Sequence, residues 1–292
     1  MNIKKRQILP PGLWVVATPI GNLGDLTERA QQALEEAEVI LCEDTRRTSQ
    51  LLSVLGLSKT LERLDAHATD KQLARVIQAL TDGQSFALVT DAGTPAISDP
   101  GARIVSLAHG AGIRVTPVPG VSAVMTLLSV AGLEETEFCF RGFFPKKTKE
   151  KKEELALAAS AKVARIFVWF EAPGRVLDTV EQIALEWPEA QVVAGKELTK
   201  LHEKVLVGTA SEVAKLLAAE LNLEGERGEW CLIVRFAVTT VLGPEESSDW
   251  VKALRCLMEE GVSASQSAKR VSQTFGVTKK IVYEMALSLA GK

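Results

Sequence analysis

An apolar run that stops abruptly in proline and glycine constrains this chain more than any other feature. Leu13-Trp14-Val15-Val16-Ala17-Thr18 is rich in β-branched and aromatic residues and predicts a buried strand. Pro19-Ile20-Gly21-Asn22-Leu23-Gly24-Asp25 breaks that strand, and Thr27 supplies a hydroxyl to cap a following helix. A strand that empties into such a loop and then a helix is how open α/β sheets build the edge that receives a ligand.

The pattern repeats along the chain. Strands are expected over 13–18, 39–42, 86–90 and 114–118, with helices over 27–37, 44–55, 69–80 and 102–109 between them. This alternation predicts a mostly parallel sheet flanked by helices. A second α/β unit is expected from strands over 138–143, 165–170, 191–194, 204–207 and 230–237 and helices over 176–186 and 211–221. Pro119-Gly120 marks the hinge, and 238–248, with Gly243-Pro244 and two serines, reads as a linker. Two short helices, 263–274 and 278–289, complete the tail. The expected domains are therefore 12–119, 120–238 and 245–292.

Composition excludes several function classes. The chain has 292 residues and a formal net charge of −3, so no global positive field draws it to nucleic acid, and such binding must come from local patches. With His67, His109 and His202 as its histidines, the sequence predicts no metal centre. Cys42, Cys139, Cys231 and Cys256 form no C-x-x-C pair and read as buried free thiols of a reducing compartment. No apolar stretch approaches the ~20 residues of a membrane span, and no signal peptide is visible, so a cytoplasmic protein is expected.

Three loops with unusual backbone needs follow predicted strands: Pro19-Ile20-Gly21-Asn22, Asp91-Ala92-Gly93-Thr94-Pro95 running on to Gly101, and Pro119-Gly120-Val121-Ser122-Ala123. In a parallel sheet they share the carboxyl edge, where small residues let a ligand approach the backbone. A dinucleotide site would also use an acid such as Glu43 or Asp44, but the G-x-G start of its fingerprint is missing. Two basic features lie nearby, Arg46-Arg47 and the run Arg141, Lys146, Lys147, Lys149, Lys151, Lys152. Each reads either as a solvated helix start or as a seat for phosphates. From Gly261 on there are five Lys/Arg against one acid, Glu284, which suits a helical cap or a helix-turn-helix contact with nucleic acid.

Taken in order, these segments resemble the tetrapyrrole methylase superfamily of S-adenosylmethionine-dependent enzymes, and within it the branch that methylates ribosomal RNA. The resemblance is carried by Thr18-Pro19-Ile20-Gly21-Asn22-Leu23, Glu43-Asp44-Thr45-Arg46, Asp91-Ala92-Gly93-Thr94-Pro95, Pro117-Val118-Pro119-Gly120, Arg141-Gly142-Phe143-Phe144-Pro145, Phe170-Glu171-Ala172-Pro173 and Glu197-Leu198-Thr199-Lys200. The tail from Gly276 to Leu287, with Lys279, Lys280 and Tyr283, is similar too. The resemblance implies two α/β domains with S-adenosylmethionine in the cleft between them, plus a small helical C-terminal tail. It implies a homodimer acting on the assembled small ribosomal subunit, at the ribose 2′-oxygen of cytidine 1402 of 16S rRNA.

Carried over by motif, Pro19, Gly21, Asp91, Ala92, Gly93, Ile97, Asp99, Ser122 and Ala123 would line the donor pocket from the first domain. Glu171 and Ala194 would approach it from the second. Asp44 and Glu171 are the candidate bases, since both follow strands at the cleft, with His67 behind them. For Asp44 the competing expectation is a helix cap or an ion pair with Arg46 or Arg47. For Ser122 it is a helix cap. Arg46, Arg47, Arg141, Lys146, Lys147 and Lys200 are expected to face rRNA phosphates. The chain departs from the family pattern at Asp65-Ala66-His67-Ala68, where His-acid-His-Asn is usual, at Gly174 in place of His, and at Lys196 in place of Arg. Two alternatives are a precursor-tetrapyrrole carbon methyltransferase and a donor-binding assembly factor without catalysis.

Overall fold

The computed structural model describes residues 9–98, 101–161, 165–236, 249–275, 277 and 279–290. The expected linker over 238–248 and the site candidate Asp99 lie outside the described residues. The chain divides after Phe236 into two compact units.

The first unit opens with β1 (Leu13–Val16), α1 (Glu28–Glu36), β2 (Val39–Cys42), α2 (Thr45–Val54), β3 (Thr60–Arg63), α3 (Asp70–Thr81), β4 (Phe86–Leu88), α4 (Ala102–Gly110), β5 (Val115–Val118) and α5 (Ala123–Val130). The strands form one parallel sheet in the order β3-β2-β4-β1-β5, with Leu13 opposite both Phe86 and Val115. Alternate residues face opposite layers, as a pleat demands. Trp14, Val16, Ile40 and Cys42 pack on Ala30, Ala33, Leu34 and Leu52, whereas Leu13, Leu41, Phe86 and Leu88 pack on Leu73, Val76, Ile104 and Ala108. Hydroxyls start the helices: Thr27 accepts from the Ala30 N–H and Thr69 from the Gln72 N–H. The strand β3 was not expected, because an exposed-to-half-buried edge strand reading Thr-Leu-Glu-Arg has no apolar run to announce it.

A second sheet follows, built from β6 (Phe138–Phe143), β7 (Ile166–Glu171), β8 (Gln191–Lys196), β9 (Lys204–Thr209) and β10 (Trp230–Arg235), with helices α6 (Thr148–Ala159), α7 (Val176–Glu186) and α8 (Ala210–Glu224). Its order is β6-β7-β10-β8-β9, with only the β6–β7 pair parallel. One face, carrying Trp169, Val192, Ala194 and Trp230, is covered by Leu155, Val180, Ile183, Val213 and Leu217 of α6, α7 and α8. The other, carrying Ile166, Val168, Val193, Cys231 and Ile233, is covered by Val124 and Leu127 of α5. Ile20, from the loop after β1, joins that second cluster and so ties the first sheet's loops to the second sheet. Of the expected buried thiols, Cys42 and Cys231 are buried, Cys139 is half-buried and Cys256 is exposed.

The second unit holds α9 (Asp249–Glu259), α10 (Ala264–Phe275) and α11 (Lys279–Ala290). Leu254, Ala268, Val271, Val282 and Ala286 form its own core. The first of these three helices was not anticipated. No helix among the described residues is long and apolar enough to cross a membrane.

Candidate active site

The loops after β4, β1 and β5 leave three neighbouring strands, and hydrogen bonds lock them into one edge. Thr18 and Gly93 exchange both backbone bonds, at 2.9 and 3.0 Å. The Thr18 hydroxyl donates to the Thr90 carbonyl at 3.0 Å. Thr94 Oγ1 donates to the Val121 carbonyl and Thr27 Oγ1 to the Pro119 carbonyl, each at 3.4 Å. Ala96 holds φ +66, a region non-glycine residues rarely occupy.

Two cavities flank this edge. The larger, 420 Å³, lies between Ile97 and Ser98 on one side and Phe140, Arg141, Gly142 and Phe143 on the other. Ile97 is 64% and Phe143 63% exposed, so two large apolar side chains face open space. The β6 ladder shifts register between Phe140 and Phe143, where Gly142 takes φ +71. Phe170 braces both rings edge-on, with centroids 5.0 Å from Phe140 and 5.5 Å from Phe143. The smaller cavity, 230 Å³, is lined by Thr18, Pro19, Gly21, Leu23, Thr90 and Asp91 and by Arg47, Thr48 and Leu51 of α2.

The expected donor residues divide between these spaces. Ile97 lines the larger cavity and Pro19, Gly21 and Asp91 the smaller, with Ala92 and Gly93 in the turn between. Ser122 stands at the N-cap position of α5, yet its hydroxyl makes no cap bond, and the backbone carbonyl of Ser122 accepts from the Thr126 N–H instead. Ala123 packs in the cluster that holds Ile20 and Phe170.

Glu171 and Ala194 need correction as approaches from the second domain. Both lie at the anticipated strand ends, but strand alternation turns their side chains to the helix-covered face. Ala194 is fully buried in the core with Val180 and Val213, and β8 pairs on both sides. The Glu171 carboxylate is fully enclosed. It accepts from the Ala172 N–H at 2.7 Å and the Thr179 hydroxyl at 2.8 Å, and it pairs with Arg175 at 2.5 Å. A group so held has no open side for a reacting hydroxyl. The strand ends were legible in the sequence, and the facing was not.

Asp44 is both things that competed with a catalytic role. Its Oδ1 accepts from the Arg46 N–H at 2.8 Å, capping α2, and its carboxylate takes Arg46 in two further bonds at 3.0 and 2.5 Å. That bidentate bond to Arg46 holds the Asp44 carboxyl well below the usual carboxylate range. His67 is exposed, its N–H bound to Asp65 at 2.8 Å.

The basic residues are largely engaged within the protein. Arg47 pairs with Asp91 at 3.4 Å and Arg141 with Glu154 at 2.7 Å. Lys147 pairs with Glu150 at 2.9 Å, and Lys200 bridges Glu197 and Glu229 at 2.9 and 3.0 Å. Lys151, in the middle of the lysine run, is 3% exposed and paired with Asp178, so this part of the run is core and not a solvated start. Lys196, one of the departures, is buried against Glu220 at 2.9 Å. Lys146 and Arg46 stay on the surface. Sequence reasoning missed Phe143 and Thr90 as cavity walls. Only the Arg141–Pro145 motif pointed near Phe143, and nothing pointed to Thr90.

The comparisons with known proteins agree with this architecture. A family model described as Tetrapyrrole (Corrin/Porphyrin) Methylases matches residues 12–214, and one described as RsmI C-terminal HTH domain matches residues 244–290. The chain is 39% identical over 277 residues to the ribosomal RNA small subunit methyltransferase I of Xylella fastidiosa, covering 94% of this chain and 98% of that one. The protein of that name from Neisseria meningitidis is 38% identical over 280 residues, covering 96% and 94%. Among solved structures, a diphthine synthase aligns with TM-score 0.59 at 14% identity, covering 77% of this chain and 89% of that chain. A cobalt precorrin-4 methyltransferase aligns with TM-score 0.55 at 19% identity, covering 76% and 94%. At such identities the structural likeness establishes the fold alone.

Proposed function

The chain belongs to the tetrapyrrole methylases and, within them, to the ribosomal RNA small subunit methyltransferase I family, and from that premise we propose that it transfers a methyl group from S-adenosylmethionine to the ribose 2′-oxygen of cytidine 1402 in 16S rRNA of the small ribosomal subunit. The observation that carries this reading is similarity over nearly the whole chain, tail included. We assign the first domain to 12–119, the second to 120–238 and the tail to 245–292. The protein is proposed to work in the cytoplasm as a homodimer.

The residues present suit such a donor. Ile97 and Phe143 offer apolar surface for an uncharged ring, and the loop from Gly93 to Ile97 offers backbone polar groups. Ile97, Ser98, Phe143, Ser122 and Ala123 would hold the donor, with Pro19, Ala92 and Gly93 as the shared wall. Its chemistry is an electrophilic methyl on a sulfonium. The protein's contribution is orientation: holding two reactants in line supplies up to ~7–11 kcal/mol of the barrier. Neither candidate suits a base: the Glu171 carboxylate is enclosed with no open side for a hydroxyl, and Arg46 holds the Asp44 carboxyl well below the usual range, far from the working pH a base needs. Asp44 therefore orders α2 and Arg46 and does not act as the proton acceptor.

Small subunits from a strain lacking the family's enzyme, incubated with labelled donor and this protein, should take label on the ribose of one cytidine. Label on a macrocyclic precursor, or donor binding without transfer, would refute the reading. Asp44→Asn should keep turnover within about ten-fold of wild type, less than loss of a general base would cost.

A further inference from the structure

Two residues that line the smaller cavity, Thr90 and Asp91, each carry a buried polar atom without a partner. Thr90 is 3% exposed and its Oγ1 is buried without a hydrogen bond. Asp91 Oδ1 is also buried and unpartnered, while Oδ2 of the same carboxylate meets the Arg47 guanidinium at 3.4 Å. Native proteins seldom leave buried polar atoms unsatisfied, and an acceptor already stripped of water rewards any ligand that brings a donor to it. The 230 Å³ space corresponds to about eight water volumes, the scale of one nucleobase and far below that of a tetrapyrrole. Arg47 is 63% exposed on its side chain, so most of its donor fork is open at the mouth.

The cavity lining therefore pairs an acceptor, the Asp91 carboxylate, with a donor, Arg47. A flipped-out base is read along its Watson–Crick edge. Cytosine offers an exocyclic amine as donor next to N3 and O2 as acceptors, which complements the pair. Uracil would turn its O4 acceptor toward the carboxylate and its N3–H toward the guanidinium, leaving only O2 to accept from Arg47. We infer that this cavity receives the target cytosine, with Asp91 accepting from its amine, Arg47 donating to its acceptors, and Thr90 filling the remaining site. The inference rests on the proposed rRNA activity and deepens it by making Asp91 and Arg47 specificity-determining. It moves Asp91 from the donor set to the base set.

The test uses the full chain and small subunits carrying cytidine or uridine at the target position. Wild type should favour cytidine by ten-fold or more in kcat/KM. Asp91→Asn, whose amide can present either a donor or an acceptor, should bring that ratio close to one with donor affinity unchanged within two-fold. Arg47→Gln, at an exposed position, should reduce the ratio without shifting the thermal midpoint. An unchanged ratio in both variants, or donor affinity falling in step with transfer, overturns the inference. Absence of ribose transfer by wild type would count against the activity, not against the cavity. In that case cytidine 5′-monophosphate should still bind more tightly than uridine 5′-monophosphate, and Asp91→Asn should abolish the difference. Equal binding of the two nucleotides by wild type overturns it as well.

Discussion

Gly21 and Lys200 touch across the two sheets: a β-carbon on Gly21 would overlap the aliphatic stem of Lys200, whose Cε would lie 2.9 Å away. Lys200 cannot retreat easily, because its ammonium is held between Glu197 and Glu229. Burial works against its charge, yet those carboxylates raise its pKa. Gly21→Val should therefore break the Lys200 bridges and distort the Pro19–Gly21 wall. We expect a loss of ten-fold or more in donor affinity by calorimetry. Combining it with Lys200→Ala, which clears the space, should restore part of that loss.

Phe143 should matter to the ligand and not to the fold. Its ring is mostly exposed and braced by Phe170. Covering such a ring is worth roughly 1–2 kcal/mol at the usual area coefficient. Phe143→Ala should weaken donor binding about ten-fold and leave the melting temperature within 2 °C or so, an exposed site costing little stability. A large fall in melting temperature with intact donor affinity would show a structural role instead.

Lys146 and Lys147 are exposed and follow β6, whose residues 140–143 line the larger cavity. If they meet phosphates, Lys146→Gln with Lys147→Gln should weaken small-subunit binding and flatten its log–log salt dependence by about 1.5. An unchanged slope would remove them from the RNA interface.

Arg175 supports Glu171 from a position only 24% exposed. Arg175→Ala would leave a carboxylate fully enclosed without its counter-charge. A loss of about 3 kcal/mol is expected, at the low end for a broken buried pair because the guanidinium is partly wet. Denaturant titration at pH 7 measures it.

Acid should destabilise the protein through Glu154. Arg141 bonds its carboxylate and the Trp169 ring N–H adds a third bond, which together hold its pKa below the usual value despite burial. The unfolded chain then binds more protons than the native one as pH falls through the carboxylate range. The stabilisation is present at neutral pH and is lost below about pH 5. Glu154→Gln should lower the melting temperature at pH 7 and flatten its decline between pH 5 and 3.

Much of this arrangement was legible in the residues. The loops after β1, β4 and β5 announce themselves through proline and glycine, and their adjacency follows from a parallel sheet. The family motifs then placed a donor among them. What stayed hidden was orientation. Glu171 and Ala194 sit at the anticipated strand ends, but a one-residue difference decides which face a side chain meets. The sequence assigns Arg141, Lys147 and Lys200 to rRNA phosphates, whereas Glu154, Glu150, Glu197 and Glu229 meet them in the fold. Thr90 and Asp91 Oδ1 could not be recognised, because a missing partner is a property of space and not of sequence.

The place of β1 between β4 and β5 sets the order in which this protein can be completed during synthesis. Leu13 has its ladder partners at Phe86 and Val115, so β1 leaves the ribosome long before either neighbour. At about 5–20 residues per second, an apolar strand reading Leu-Trp-Val-Val waits several seconds before β4 exists and longer before β5 closes its other side. Nascent chains that stop short of Val118 present that open edge to other chains. Recombinant yield should thus depend on keeping β1 apart from other chains until β5 has been made.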